Sequence, residues 1–167
     1  MDGKDAPPLR FRAWREDDRD TGLALFDSNV PQFFAAQERA DFIEFIEDLP
    51  GPYFLALDAD GAAVGCGGYA VHDKKPETAA LCWGMIHRDH HKRGWGDALL
   101  RHRLDAIARE PVFRWVEIET SQFSRGFFER YGFVQRKQVA DGFAPGIDLI
   151  EMTLDMDAYR KAGRANL

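Results

Sequence analysis

Cysteine is scarce. The 167 residues contain two, Cys66 and Cys82, with no C-x-x-C and no second pair. Neither a disulfide framework nor a cysteine metal cage is therefore expected, and both thiols read as buried. Positive charge is also short: 22 Lys and Arg stand against 28 Asp and Glu, a formal charge of -6. A broad phosphate-backbone footprint is excluded on that balance, and nucleic acid is not an expected partner. Long apolar runs are missing too, the longest being Ala79 to Ile86, far short of the ~20 residues of a membrane-spanning helix. The opening Met-Asp-Gly-Lys-Asp-Ala-Pro-Pro has acids and prolines where a secretory signal has basic and then apolar residues. These absences point to a cytoplasmic protein with no membrane partner. The interior also lacks repeats, low-complexity tracts and linkers, so a single domain over residues 1–167 is expected, with its core at about 9–155.

What the chain does have is apolar substance in regular patterns. Hydrophobic residues make up 45%, including 13 Phe, which suits an enclosed core and excludes disorder for most of the length. Leu9 to Trp14 alternates as a half-buried strand, and Asp17 to Ser28 and Gln37 to Leu49 carry helical apolar faces, the second through Phe42, Phe45, Ile46 and Leu49. Tyr53–Leu57 and Ala62–Val71 flank Asp58-Ala-Asp-Gly61, the pattern of a hairpin. Ala79–Ile86, apolar almost throughout, predicts a central strand. Gly96–Arg109 then reads as helix, Phe113–Thr120 as strand and Ser124–Tyr131 as a short helix stopped by Gly132. Phe133–Val139 and Ile147–Leu154 close the series around a loop at Asp141–Gly146, with both ends of the chain loose. The order β-α-α-β-β-β-α-β-α-β-β predicts an α/β protein, a mixed sheet with helices on its faces.

Chemistry concentrates after the central strand. Residues 87 to 103 hold five basic and two acidic side chains and four of the five histidines. Here a polar loop with two glycines enters an amphipathic helix. A helix N-terminus exposes unpaired N–H groups and a partial positive charge, and glycine lets backbone approach an anion closely, so a diphosphate suits this place. Neither the three-glycine dinucleotide fingerprint nor a G-x-x-x-x-G-K-[ST] loop is present. A tight strand-to-helix turn with a solvated charged face is the competing explanation.

The segment Trp83-Gly-Met-Ile-His87 followed by His91-Lys-Arg-Gly94-Trp-Gly96 resembles the Q/R-x-x-G-x-G/A motif of the GNAT acetyltransferases, with His91 in the slot normally held by Gln or Arg. Further along, Phe127-Phe-Glu-Arg-Tyr-Gly-Phe133 resembles the family's second signature. The resemblance covers about Leu9 to Leu154. It implies the GNAT acyl-CoA N-acyltransferase fold, a mostly antiparallel sheet in which parallel strands 4 and 5 splay apart, flanked by helices. It also implies acetyl-CoA as co-substrate and no metal. The pantetheine arm would bond backbone groups of Met85 and Ile86, and N–H groups across His91, Lys92, Arg93, Gly94, Trp95 and Gly96 would hold the pyrophosphate, with Asp97 at the helix start. The thioester would lie near Glu119, Ser121 and Phe128, with Ser121 or Gln122 able to bond the arm. Phe128 stands where the family often has a proton-donating tyrosine. Tyr131 is the remaining acid candidate, with packing as its competing role.

The implied reaction is direct attack of an amine on the thioester, catalysed by proximity. An amine of pKa ~10.4 must first lose a proton, so a base is expected. Glu119, near a strand end, is the first candidate and His72 the second. His87, His90 and His91 also cluster in sequence, without carboxylates or thiols at ligand spacing. Expected partners are a small-molecule or peptide amine and, as an open alternative, a second copy of the chain as a homodimer. The acceptor pocket is expected from the two early helices and the Asp141–Gly146 loop. The rival to an enzyme is a non-catalytic acyl-CoA-binding module, motivated by the absent tyrosine.

Overall fold

The computed structural model describes residues 8–165. Strand β1 (Arg10–Ala13) leads through a 3-10 turn (Glu16–Asp18) into helix α1 (Arg19–Ser28), and a second 3-10 turn (Ala36–Glu38) precedes α2 (Arg39–Glu47). Strands β2 (Tyr53–Leu57), β3 (Ala63–Val71) and β4 (Thr78–Ile86) follow, then a third 3-10 turn (Arg88–His90) and α3 (Trp95–Ala108). The chain continues with β5 (Trp115–Thr120), α4 (Arg125–Glu129), β6 (Val134–Ala144), β7 (Ile147–Asp155) and α5 (Met156–Ala165). The strands form one mixed sheet in the order β1-β2-β3-β4-β5-β7-β6, with β4 and β5 parallel. No helix among the described residues is long and apolar enough to cross a membrane.

The described chain gathers into two compact units. The first holds the chain up to Tyr69 together with Cys82–Leu104. In it β1 pairs antiparallel with β2, from Arg10↔Leu57 to Ala13↔Phe54, and β2 pairs antiparallel with β3 around the turn at Gly61. Gly61 has φ +83, which its lack of Cβ permits. Alternation along the strands supplies two apolar faces. One gathers Leu23, Phe26, Phe42, Ile46, Tyr53, Leu55 and Cys66 around the helical stripes of α1 and α2. The other gathers Ala56, Val64, Ile86, Trp95 and Leu99 beneath α3.

The second unit holds Ala70–Leu81 and the chain from Asp105 onward. Thr78, Ala79 and Ala80 of β4 pair with Trp115, Val116 and Glu117 of β5, and β7 runs antiparallel to both β5 and β6. Helix α5 is tied down by its own polar groups. Arg160 donates to the carbonyls of Ala108, Glu110 and Phe113 at 3.1, 3.0 and 2.8 Å, and the Tyr159 hydroxyl donates to Asp105 at 2.7 Å.

Three expectations change. The C-terminal tail, expected to be loose, is helix α5: Asp155 Oδ1 accepts from the N–H groups of Asp157 and Ala158, the arrangement of an N-cap. The expected loop at Asp141–Gly146 is largely strand. Here β6 runs to Ala144 across a register shift, Asp141 takes φ +55, and its carboxylate accepts the Gly146 N–H at 2.7 Å. Strand β4, expected to be covered on both faces, is one unbroken strand but is kinked and partly bared: Trp83 takes φ +41, and Gly84 is exposed between partly buried Trp83 and buried Met85.

Candidate active site

The segment from the end of β4 to the start of α3 is built by local bonds. The His87 ring accepts the Asp89 N–H at 3.1 Å, and His90 and His91 donate backbone N–H groups to the carbonyls of His87 and Arg88. The His91 ring turns inward, with Nε2 2.9 Å from the Ile86 carbonyl, and packs edge-on to Phe33. Asn29 Nδ2 donates to the same carbonyl at 3.0 Å. His91 thus fastens the loop to its strand, and the Ile86 oxygen already has two partners. Met85 is buried, and its carbonyl lies only 2.7 Å from where a Cβ on Gly65 of β3 would stand.

Beyond His91 the backbone turns into left-handed conformation at Lys92 (φ +67) and again at Gly94 (φ +78). Alternation of this kind aims successive N–H groups to one side. None of the hydrogen bonds among the described residues uses the N–H groups of Lys92, Arg93, Gly94, Trp95 or Gly96. These donors sit at the first turn of the 14-residue α3, where the helix dipole is positive. The Trp95 side chain is buried with its indole N–H unpartnered among the described residues, and the Arg93 guanidinium lies 5.6 Å from that ring. Asp97 stands in the first helical turn.

The acid–base candidates belong to the second unit. Within the second unit, His72 Nε2 is 2.8 Å from Glu117, which is buried in β5 and also takes Lys75 Nζ at 3.3 Å. His72 Nδ1 accepts the Lys74 N–H at 3.1 Å. His72 Nδ1 also lies 3.2 Å from Asp73 Oδ1, so both ring nitrogens are engaged by neighbouring groups. The imidazole is a tether for the β3–β4 connection, and Glu117 is the partner that period-2 spacing alone could not assign. Glu119 is exposed and stands opposite Glu151 in the β5–β7 register.

Ser121 is buried, its carbonyl accepts from the Ser124 and Arg125 N–H groups, and its Oγ accepts the Phe123 N–H, which leaves its own O–H available as a donor. Gln122 bridges to the β6–β7 hairpin, donating to the Gly146 carbonyl at 2.8 Å and accepting from the Asp148 N–H at 2.9 Å. Phe128 is buried against Phe133, while Tyr131 is half-buried beside Phe127. Among the described residues, no group of three or more His, Cys, Asp or Glu is placed to share a metal ion. Burial pushes the Cys66 thiol up to about 12, which keeps it protonated and poorly nucleophilic.

Residues 22–133, well over half of the chain, match the model of the acetyltransferase (GNAT) family. The chain belongs to the GNAT acetyltransferases. No curated protein matches it in sequence. Among solved structures, a protein assigned to the GNAT acetyltransferases from Desulfovibrio desulfuricans has a TM-score of 0.75 at 22% identity, over 89% of this chain and 99% of its own. The spermidine N-acetyltransferase of Vibrio cholerae, solved with CoA and spermine, has a TM-score of 0.70 at 16% identity, over 90% and 97%. The yncA protein of Salmonella typhimurium, solved with acetyl-CoA as its cofactor, has a TM-score of 0.67 at 17% identity, over 89% and 94%. At these identities the likeness establishes the GNAT fold, and the acetyltransferase assignment comes from the family match.

Proposed function

We propose that this GNAT protein transfers the acetyl group of acetyl-CoA directly to a primary amine of a small molecule or peptide in the cytoplasm. The observation that carries the proposal is the run of unspent backbone N–H groups from Lys92 to Gly96 at the start of α3. A coenzyme pyrophosphate is the anion that this family brings to such a loop, and backbone donors need no side chain in the slot that His91 fills. Arg93 adds positive charge, and Trp95 anchors the turn. Ile86 and Met85 would border the arm.

The amine nitrogen attacks the thioester carbonyl carbon, so a C–N bond forms as the C–S bond breaks and the thiolate leaves. Glu119 takes the amine proton: it is the exposed carboxylate of β5, whereas His72 is held by Glu117 and Lys74. Phe128 has no proton to give and Tyr131 packs on Phe127, so the departing thiolate takes its proton from water. The acidic side chains Asp41, Glu44 and Glu47 on α2 favour an acceptor of positive charge.

Initial rates measured with both substrates varied test the scheme. Direct transfer gives intersecting double-reciprocal lines and leaves no acetyl group on the protein. Parallel lines, with an acetyl adduct after exposure to acetyl-CoA alone, would overturn it.

A further inference from the structure

Arg103 sits on the inner face of α3 with 4% of its surface exposed. Its Nε and Nη1 atoms are fully buried and have no hydrogen-bond partner among the described residues. Among the described residues no carboxylate is paired with it: burial pushes the guanidinium down to about 10, and the groups that oppose the shift are Tyr53, Cys82 and Cys66. Buried cations are ordinarily paired and hydrogen-bonded. Here two of the guanidinium nitrogens are left without an acceptor among the described residues.

The surroundings are shaped to keep it there. A Cβ on Gly84 would stand 2.6 Å from Nη2 and 2.8 Å from Nη1, and one on Gly67 would stand 3.4 Å from Cζ and Nε. Two glycines inside adjacent strands are therefore the floor on which the guanidinium lies, although glycine weakens a strand. Gly84 is also the exposed residue in the middle of β4. The buried cation thus ends against the one stretch of that strand that opens outward. Seven residues separate Arg103 from Gly96, about 10 Å along an α-helix. That distance is short enough for a ligand anchored at the start of α3 to reach back to the guanidinium.

We infer that Arg103 is a coenzyme-binding residue whose guanidinium donates to a hydrogen-bond acceptor on the arm of acyl-CoA. The inference rests on the acetyl-CoA reading above, because it is the coenzyme's arm, extending from a pyrophosphate at the loop along β4, that brings an acceptor to Gly84. The unpaired N–H groups are then completed only in the complex.

Titration calorimetry of Arg103→Met against CoA, desulfo-CoA and 3′,5′-ADP, with thermal unfolding of the ligand-free proteins, tests this. Arg103→Met is expected to weaken CoA at least tenfold, about 1.4 kcal/mol. Binding of 3′,5′-ADP, which has no arm, should stay within twofold. The melting temperature should hold or rise, since an unpaired buried cation has been replaced by an apolar side chain of similar length. An equal loss for desulfo-CoA assigns the acceptor to an arm oxygen, and a loss confined to CoA assigns it to the sulfur; either supports the inference. CoA affinity within twofold of wild type, or an equal loss for CoA and 3′,5′-ADP, overturns it. Arg103→Gln gives the same comparison if the Met variant does not fold. Wild-type protein that binds no CoA overturns this inference and the acetyl-CoA reading together, whereas wild-type binding with an indifferent Arg103→Met overturns this inference alone.

Discussion

The hydroxyl of Tyr53 donates to the carbonyl of Trp83 across 2.8 Å. Trp83 is the residue of β4 with positive φ, a conformation that costs a bulky side chain of order 1–3 kcal/mol. Two things hold it there: the Tyr53 bond behind its backbone, and the rings of Phe26, Phe34, Phe42 and Phe45 around its indole. The kink thereby bares Gly84 without loosening the core. Tyr53→Phe leaves the Trp83 carbonyl without that donor and is expected to cost about 1–3 kcal/mol in urea unfolding. A change under about 0.5 kcal/mol, within the range of an ordinary surface substitution, would show that the bond does not hold the kink.

Asp18 ties the first helical turn to β1. Its oxygens accept from Arg12 at 2.7 and 2.8 Å and from the Arg15 N–H at 2.8 Å. The Arg12 guanidinium, helped by that N–H against the opposing effect of burial, holds the Asp18 carboxyl below its usual range. Because the folded value is depressed, the stabilisation is complete above the unfolded value of ~3.9 and fades as pH falls through the folded one. Asp18→Asn should cost about 1.5–3 kcal/mol at pH 7, and the gap to wild type should shrink below pH ~4. A gap that stays constant from pH 7 to pH 3 would contradict the assignment.

Gly94 has φ +78 and open space around its missing Cβ. A side chain there is opposed by backbone conformation and by any anion at the loop, and not by packing. Gly94→Val should lower acetyl-CoA affinity at least tenfold, with a destabilisation of at least about 1 kcal/mol. Calorimetry alongside thermal unfolding separates the two effects. Unchanged affinity in a folded variant would remove the loop from the site.

Arg160 satisfies three carbonyls where α3 ends and the chain turns toward β5. Arg160→Met keeps most of the stem and loses the donors, so a loss of about 1.5–3 kcal/mol is expected. Hydrogen exchange should locate the loosening in α5 and the 108–113 turn. A variant as stable as wild type would mean that water replaces the guanidinium at no net cost.

The elements with strong periodicity were legible from sequence: the helical stripes Leu23/Phe26 and Phe42/Ile46, the Gly61 hairpin and the apolar β4 run all appear where their patterns place them. What stayed hidden depends on contacts distant in sequence. Helix α5 is short and polar, and it is held by Arg160 and Tyr159 bonding residues some 50 positions away, beyond the reach of periodicity. The β6 extension runs through Asp141 and Gly142, residues that ordinarily mark turns. The left-handed turn at Gly94 and the start of α3 could be read because they are local features. The pairing of His72 with Glu117 could not, because it joins a hairpin connection to a strand 45 positions later (117 − 72). Nor could Arg103, which in sequence is one more charge in a basic helix.

The account stands or falls on whether acetyl-CoA is turned over. Incubating the protein with acetyl-CoA and a panel of amines, from polyamines to amino acids and peptides, and measuring free CoA thiol and acetylated amine together is the direct measurement. The account predicts that at least one cationic amine yields both products in equal amounts, without added metal, and that Glu119→Gln lowers kcat for that amine by roughly 10²–10⁴-fold. Tight acetyl-CoA binding with no thiol released for any amine would contradict it and mark the chain as a binding module.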